Sequence, residues 1–295
     1  MPALADVVAV LERHYPPRLA ESWDAVGLVC GDPGADVRRV LFAVDPVQSV
    51  VDEALETGAD LIVTHHPLFL RPVHGVAATT PKGRLVHRLV TGGVALYTAH
   101  TNADKAVPGV NDALADALGL GVVGPLAPDR PDHGPDHAAD GAVGLEGLGR
   151  IGTLPAPETL SAFVRRVARA LPPTASGVRT SGDPGATVRT VAVCGGAGDA
   201  LLETARSAGV DAYVTADLRH HPSSESDEAE GPALVDVAHW ASEWPWLAPA
   251  ARRLVAGLSE QGPTVETHIS DTPTDPWTVH QPSRESGATD EGSPS

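Results

Sequence analysis

Residues 39–67 read RVLFAVDPVQSVVDEALETGADLIVTHHP, a unit from which the rest of the chain can be read outward. RVLFAVD (39–45) is a continuous apolar run with β-branched members, the pattern of a strand covered on both faces. PVQSVVDEALETG follows as a helix, with Pro46 suited to its first turn and Gly58 at its end. DLIVT (60–64) is a second buried strand. Strand, helix, strand in this order predicts parallel neighbours joined by a crossover helix. The second strand then runs into His65-His66-Pro67. Adjacent side chains on an extended backbone point to opposite faces, so both imidazoles can meet one site only where the strand ends and the chain turns. Pro67 favours such a break, having no N–H and biasing His66 toward an extended conformation.

The same alternation continues on either side. MPALADVVAVLERHYPP has apolar residues at helical spacing, and ESWDAVGLVCGDPG after it is a glycine-rich turn region. Beyond the two histidines come a helix at 82–93, a strand at 94–98 and a glycine-closed helix at 108–119. GPLAPDRPDHGPDHAADGAVG (124–144) is rich in Pro, Asp and Gly and reads as a solvated loop, its PDHGPDH repeat being only a weak metal-binding pattern. A strand-like RIGTL, a helix at 158–171 and a Gly/Pro-rich stretch suggest a small inserted module. From 187 the first pattern resumes with strand, glycine-rich turn, helix and strand, then ALVDVAHW (233–240) as a strand, a helix, and TVETHIS as a final strand. The expected organisation is a core from 1–123 and 187–270, a linker and middle module at 124–186, and a disordered acidic tail at 271–295.

Composition fits a soluble α/β protein. Hydrophobic residues make up 42% of the 295 residues and aromatics only 4%, so the core must rest on Val, Leu and Ala. A net charge of −17 argues against nonspecific nucleic-acid or acidic-membrane binding and is compatible with cations. The N-terminus lacks a basic n-region, and no window holds the roughly 18 consecutive apolar residues of a membrane span; the expectation is a cytoplasmic protein. Cys30 and Cys194 lie far apart in apolar stretches outside any CxxC pattern, so they are expected to be inert, buried thiols.

In parallel open sheets, ligands sit beyond the carboxyl ends of the strands. One apolar run ends at Asp45, another at Thr64-His65-His66, a third in AHTNAD with His100 and Asp104. The later runs end in CGGAG, TADLRHH and AHWASE, the last with His239 and Glu243. Asp104 follows His100 by four and Glu243 follows His239 by four, a spacing that puts each pair on one face of a helical turn. Imidazoles mixed with carboxylates suit zinc, iron or manganese, and a carboxylate can bridge two ions. Such a pair of ions activates water and stabilises charge on a substrate oxygen. Against this, each H-x3-D or H-x3-E alone fits an ordinary capped helix end. CGGAGD (194–199) reads either as a phosphate cradle or, more simply, as a tight turn, since it lacks the full G-x-G-x-x-G and any GK[ST]. His220-His221 read equally as supporting residues or as exposed ones.

Seven stretches together resemble the NIF3 family: ESWDAVGL (21–28), VTHHPLF (63–69), AHTNADKAVPGVNDALA (99–115), GLGRIG (147–152), VAVCGGAG (191–198), DAYVTADLRHH (211–221) and DVAHWASE (236–243). Members are also labelled GTP cyclohydrolase 1 type 2 homologues or dinuclear metal centre hexameric proteins. The resemblance implies an α/β core with a mostly parallel sheet and crossover helices, a smaller inserted α/β middle domain, and a ring-like homohexamer. It implies two divalent transition-metal ions per chain held by His65, His66, Asp104, His239 and Glu243, with Glu243 bridging and His100 close by in support. Asp217 lies near the site in this picture without being expected as a ligand. The family usually has glycine directly before the last histidine; Ala238 stands there, tolerable unless the backbone needs a positive φ.

The implied activity is metal-dependent hydrolysis of a nucleotide or another phosphorylated small molecule, GTP ring opening being the family's label. The alternatives are a non-catalytic metal-binding protein, for metal handling, chaperoning or regulation, and a scaffold whose metal only stabilises the fold. A basic pocket formed by any of Arg71, Lys82, Arg84 or Lys105 would favour the enzyme.

Overall fold

The structure is a computed structural model that describes residues 1–129, 146–260, 262 and 264–282. The PDHGPDH repeat and the end of the acidic tail lie outside the described residues. The first part of the chain runs α1 (Leu4–His14), β1 (Gly27–Cys30), β2 (Arg39–Ala43), α2 (Gln48–Thr57) and β3 (Leu61–Thr64). It continues with α3 (Pro81–Gly92), β4 (Ala95–Thr98), α4 (Thr101–Lys105) and α5 (Val110–Ala117). Then come β5 (Gly121–Gly124), β6 (Ala127–Pro128), β7 (Gly147–Leu148), β8 (Arg150–Thr159), α6 (Leu160–Ala170) and β9 (Arg179–Thr180). The last part is β10 (Thr187–Ala197), α7 (Leu202–Ser207), β11 (Ala212–Ala216), α8 (His220–Glu228), β12 (Ala233–Val237), α9 (His239–Glu243), α10 (Leu247–Ser259) and β13 (Glu266–Ile269).

The expected α/β core of parallel strands and crossover helices is present, with its strands divided between two sheets. The first has the order β1-β4-β3-β2-β13, parallel except for β1. The second has the order β5-β8-β10-β11-β12-β9, with β10, β11 and β12 parallel and the flanking strands antiparallel. The first sheet cannot grow past β4, because β1 occupies that edge; β5 therefore starts a new sheet against β8. Residues 124–186, read in sequence as a linker and inserted module, contribute β8 and β9 to the second sheet. β8 pairs with β10 from Thr187↔Thr159 to Val193↔Arg150. The final strand β13 returns to the first sheet beside β2, as a fold built from both chain ends requires.

Burial follows the pleat. Val40, Phe42, Leu61 and Val63 of the first sheet share a core with Val191, Val193, Val214 and Val235 of the second. Helices α1, α5, α6 and α10 fill that shared core through residues such as Val7, Leu114, Phe163 and Leu254. The alternate residues Leu41, Ala43 and Ile62 pack instead on α2 and α3, and Ala192 and Tyr213 pack on α7. Both sheets are thus covered on both faces, which is why their strands read as unbroken apolar runs.

Local signals differ from the sequence reading at two ends. α2 begins at Gln48 behind Val47, so Pro46 lies just outside its first turn; Gly58 closes it in the left-handed region at φ 67° as expected. Residues 271–282, in the stretch read as a disordered tail, have described positions: the Thr272 hydroxyl donates to Glu53 at 2.9 Å and that of Thr274 to Asp45. Among the described residues, no helix is long and apolar enough to cross a membrane.

Candidate metal centre

The carboxyl ends of both sheets converge. β3 ends at Thr64, and the chain stays beside β2 for two more residues, with the His65 amide on Ala43 O at 3.2 Å and that of His66 on Val44 O at 2.9 Å. Past the strand end the two rings come together, their centroids 5.1 Å apart, and each meets a different part of one cluster. The His65 ring donates from Nδ1 to Ala99 O at 2.9 Å. A carbonyl can only accept, so Nδ1 carries the proton and Nε2 presents its lone pair. The His66 Nδ1–H meets Asp45 Oδ1 at 2.7 Å, and the His239 Nδ1–H meets Asp217 Oδ2 at 2.7 Å. The His100 Nδ1–H meets Asp24 Oδ1 at 2.8 Å. All four rings are therefore held by an oxygen behind them, an arrangement that fixes tautomer and orientation as in metal-ligating histidines.

Glu243 stands at the centre, 2% exposed. Its Oε1 is 3.1 Å from His239 Nε2 and 3.4 Å from His65 Nε2, and its Oε2 is 3.2 Å from His66 Nε2. Asp104 Oδ1 is 3.6 Å from His65 Nε2. His66 Nε2 and His239 Nε2 approach to 3.1 Å, two lone pairs face to face once each ring is protonated at Nδ1. That contact requires a positive charge between or beside them. Three buried atoms of the cluster, His65 Nε2, Asp104 Oδ1 and Glu243 Oε2, have no hydrogen-bond partner among the described residues. Buried polar atoms are rarely left so, and metal ligands are a common reason. Two overlapping sets have ligand atoms within 4.8 Å of one another: His65, His66 and His100, and His66, His239 and Glu243. The donor set fits divalent transition metals.

Protonation follows the same demand for positive charge. Burial is the largest influence and pushes the His65 and His66 pKa values down, but the carboxylates together outweigh it, Glu243 with Asp104 for His65 and Glu243 with Asp45 for His66, so both end raised. Burial likewise opposes charge on His239, and Glu243 still raises it to about 9. Burial favours a neutral Glu243, yet His66, His65 and His239 together hold its carboxyl well below the usual range. Burial lifts Asp104 upward against the pull of His65 and His100.

The helical spacing works as expected on α9, where His239 and Glu243 lie one turn apart on one face. Ala238 precedes them at φ −67°, so glycine is not needed there. On α4, His100 is the residue before the first turn and Asp104 lies within it. The glycine-rich stretch is neither a phosphate cradle nor a simple turn. Its Gly195 amide donates to Asn111 Oδ1 and its Gly196 amide to Ser242 Oγ, both at 2.8 Å, so neither is free for an anion. Gly196 sits at φ +68°, and a Cβ there would meet Glu243 Oε1 at 2.4 Å and His239 Nε2 at 2.9 Å. Glycine is required so that β10 can press against the cluster.

Other residues singled out in the sequence separate clearly. Asp217 supports His239 rather than standing in either metal-capable set. His220 and His221 are exposed at the start of α8, their rings 5.1 Å apart and outside both sets. Lys105 is 7% exposed and paired with Glu21 at 2.8 Å and Asp129 at 3.2 Å. Lys82 and Arg84 line a cavity of about 630 Å³ that includes His66 and Asp45; Arg71 does not line it. Cys194 is buried and its thiol pushed up to about 12 by burial, and Cys30 is half-buried with its thiol also raised by burial. The supporting carboxylates Asp24 and Asp45 were not assigned roles from sequence. Asp45 carried a signal, since it ends a buried strand; Asp24 sits in a loop with none beyond its motif.

The chain matches the family model described as Duf34/NIF3 (NGG1p interacting factor 3) over residues 2–276. It is 54% identical over 280 residues to a GTP cyclohydrolase 1 type 2 homolog of Streptomyces coelicolor, covering 95% of each chain. A protein of the same description from Mycobacterium tuberculosis is 42% identical, covering 96% of this chain and 98% of the relative. Among solved structures, a Bacillus cereus protein related to NIF3 superposes with a TM-score of 0.81 at 26% identity, covering 95% of this chain and 99% of that one. A hypothetical protein of Staphylococcus aureus gives 0.84 at 27% identity, covering 94% and 99%. The chain belongs to the NIF3 family.

Proposed function

From that family membership we propose that the cluster holds two divalent transition-metal ions, zinc, iron or manganese, and that the protein is a metal-dependent hydrolase of a nucleotide or another phosphorylated small molecule. His65 and Asp104 would hold one ion, His66 and His239 the other, with Glu243 between them and His100 in support. The observation that carries this reading is the convergence of three buried atoms without hydrogen-bond partners among the described residues, His65 Nε2, Asp104 Oδ1 and Glu243 Oε2, around the His66–His239 contact at 3.1 Å. When bound, such a pair supplies Lewis acidity and a water activated at neutral pH.

The chain's own residues do the rest. Asp45, Asp217, Asp24 and the Ala99 carbonyl hold the imidazoles in one tautomer, so that their lone pairs face inward. Trp246 packs on His65 with ring centroids 5.6 Å apart and excludes water behind it. The open side of His66 and His239 faces a cavity of about 790 Å³, large enough for a nucleotide-sized ligand.

A second reading, a protein that holds metal without turning over a substrate, is favoured by the lining of that cavity. Asp45, Asp217, Asp236 and Asp275 surround it, and such a surround draws cations in. The assembly expected for the family, a cytoplasmic homohexamer, belongs to the same proposal and is read by light scattering.

Elemental analysis of untagged protein purified without chelators, beside Glu243→Ala, tests the centre. About two transition-metal ions per chain, falling sharply in the variant, are expected, and a nucleotide hydrolysis screen then separates the two readings. No stoichiometric metal even after reconstitution would sink both.

A further inference from the structure

We propose that Lys82 and Arg84 form an anion subsite that holds the phosphate end of a phosphate-ester ligand beside the metal centre, an inference that rests on the reading of that centre given above. Two cavities share His66 and Asp45 as a common wall. The larger is acidic, and its guanidinium, Arg179, is taken up by Asp236 at 2.9 Å. The smaller, about 630 Å³, has the opposite sign, since Lys82 and Arg84 line it and Asp45 is the one carboxylate on its wall. That carboxylate is already bonded to the His66 Nδ1–H and to the Thr274 hydroxyl.

Neither cation is neutralised. Lys82 Nζ lies 5.9 Å from the centre of the Phe69 ring, and neither Lys82 nor Arg84 has a carboxylate partner among the described residues. Elsewhere around the centre the basic side chains are paired: Lys105 with Glu21, Arg150 with Asp112, Arg219 with Asp199. In a chain of net charge −17, two unpaired cations on one cavity beside the cluster mark where an anion is favoured.

Both side chains are exposed, and the backbone that carries them is fixed. Gly83 lies between them, and a Cβ there would stand 1.9 Å from Ala77 O, so the preceding loop closes directly on the start of α3. The Thr80 hydroxyl accepts from the Gly83 amide at 3.0 Å and holds that join. The cavity is otherwise lined by Pro67, Leu68 and Leu85, apolar groups that weaken screening of a bound charge. A phosphate monoester or diphosphate suits the pair, with the planar guanidinium taking two oxygens and the ammonium a third. The rest of the ligand would extend past His66 toward the centre.

Isothermal titration of the full chain, metal-loaded and metal-free, tests this with inorganic pyrophosphate, and with guanosine monophosphate beside guanosine and citrate. Lys82→Ala/Arg84→Ala should weaken both phosphate probes roughly tenfold or more while leaving guanosine binding and metal content unchanged. Lys82→Arg/Arg84→Lys should restore most of the affinity, and the difference should shrink at high salt. Equal phosphate affinity in the double Ala variant and the unaltered chain overturns the subsite, as does a preference for citrate over pyrophosphate. Metal content is read separately: normal metal with unchanged phosphate binding refutes the subsite alone. A chain that takes up no metal even after reconstitution, yet loses phosphate affinity in the variant, supports the anion site and overturns the reading of the centre.

Discussion

Gly196→Ala puts the close approach of β10 to the cluster to a quantitative test. The position has φ +68°, a region that costs a residue with a Cβ about 1 kcal/mol. The added carbon would also lie 2.4 Å from Glu243 Oε1 and 2.9 Å from His239 Nε2, where ordinary contacts are 3.4–4 Å. Something must move by about 1 Å. The strand cannot move cheaply, since Gly196 N is bonded to Ser242 Oγ at 2.8 Å and Thr215 Oγ1 donates to Gly196 O at 3.0 Å. Glu243 and His239 therefore yield. Metal–ligand distances tolerate only about 0.2 Å, so metal affinity should fall by about a hundredfold or more, as from loss of a ligand. The metal-free protein should lose only about 1–3 kcal/mol, from the backbone and the crowding together. Gly195→Ala is the control: its Cβ would meet Val110 at 3.1 Å and Glu243 Cγ at 3.4 Å, and its φ is not positive. Chelator competition for metal and urea unfolding of the metal-free chains measure the two quantities. Wild-type metal affinity in Gly196→Ala would refute both the placement of Glu243 and its role.

Three other outcomes follow from the same geometry. In the metal-free cluster the pKa values of His65, His66 and His239 are raised, that of His239 to about 9, so below that pH an incoming ion must displace protons. Metal affinity should therefore fall as pH drops from about 9, by about tenfold per pH unit for each proton displaced, measured by chelator competition across pH. Asp45→Ala or Asp217→Ala should weaken metal binding by about 10–100-fold with every direct ligand intact, because His66 and His239 each lose the acceptor behind Nδ1. Asp112→Ala should cost about 3–5 kcal/mol of stability in urea unfolding, since it leaves Arg150, 1% exposed, without its carboxylate partner at 2.8 Å.

The α/β class was legible because buried parallel strands are apolar on both faces, as in RVLFA and LIVT, and glycines such as Gly58 close the helices between them. The cluster was legible because each of its members stands just past a strand end, and because His239 and Glu243 share a helical face. What the sequence hid depends on distance in three dimensions. The carboxylate of Asp24 is bonded to His100 across 76 residues, and nothing local marks a loop aspartate for that task. Gly196 looked like half of a turn motif, whereas its use is to let a backbone touch a carboxylate. The division into two sheets turned on which strand takes the edge of β4, a choice that no periodicity encodes.

That division also explains how the cluster is assembled. His65, His66, His100 and Asp104 belong to the first sheet's strand ends, while His239 and Glu243 follow β12 of the second. Glu243 is thus a buried carboxylate from one part of the chain set among imidazoles largely from another, and the His66–His239 contact spans the same junction. Without a cation the junction brings two imidazole lone pairs to 3.1 Å; burial and the neighbouring His66 oppose a proton on His239, and Glu243 raises its pKa over both. A metal ion removes the repulsion without a proton and joins side chains more than a hundred residues apart. Whatever binds the cluster therefore also ties the two sheets together, by RT ln(1 + [L]/Kd), about 2.7 kcal/mol at a hundred times Kd. The position of the candidate centre at the junction, rather than within one sheet, makes its occupancy a property of the whole fold.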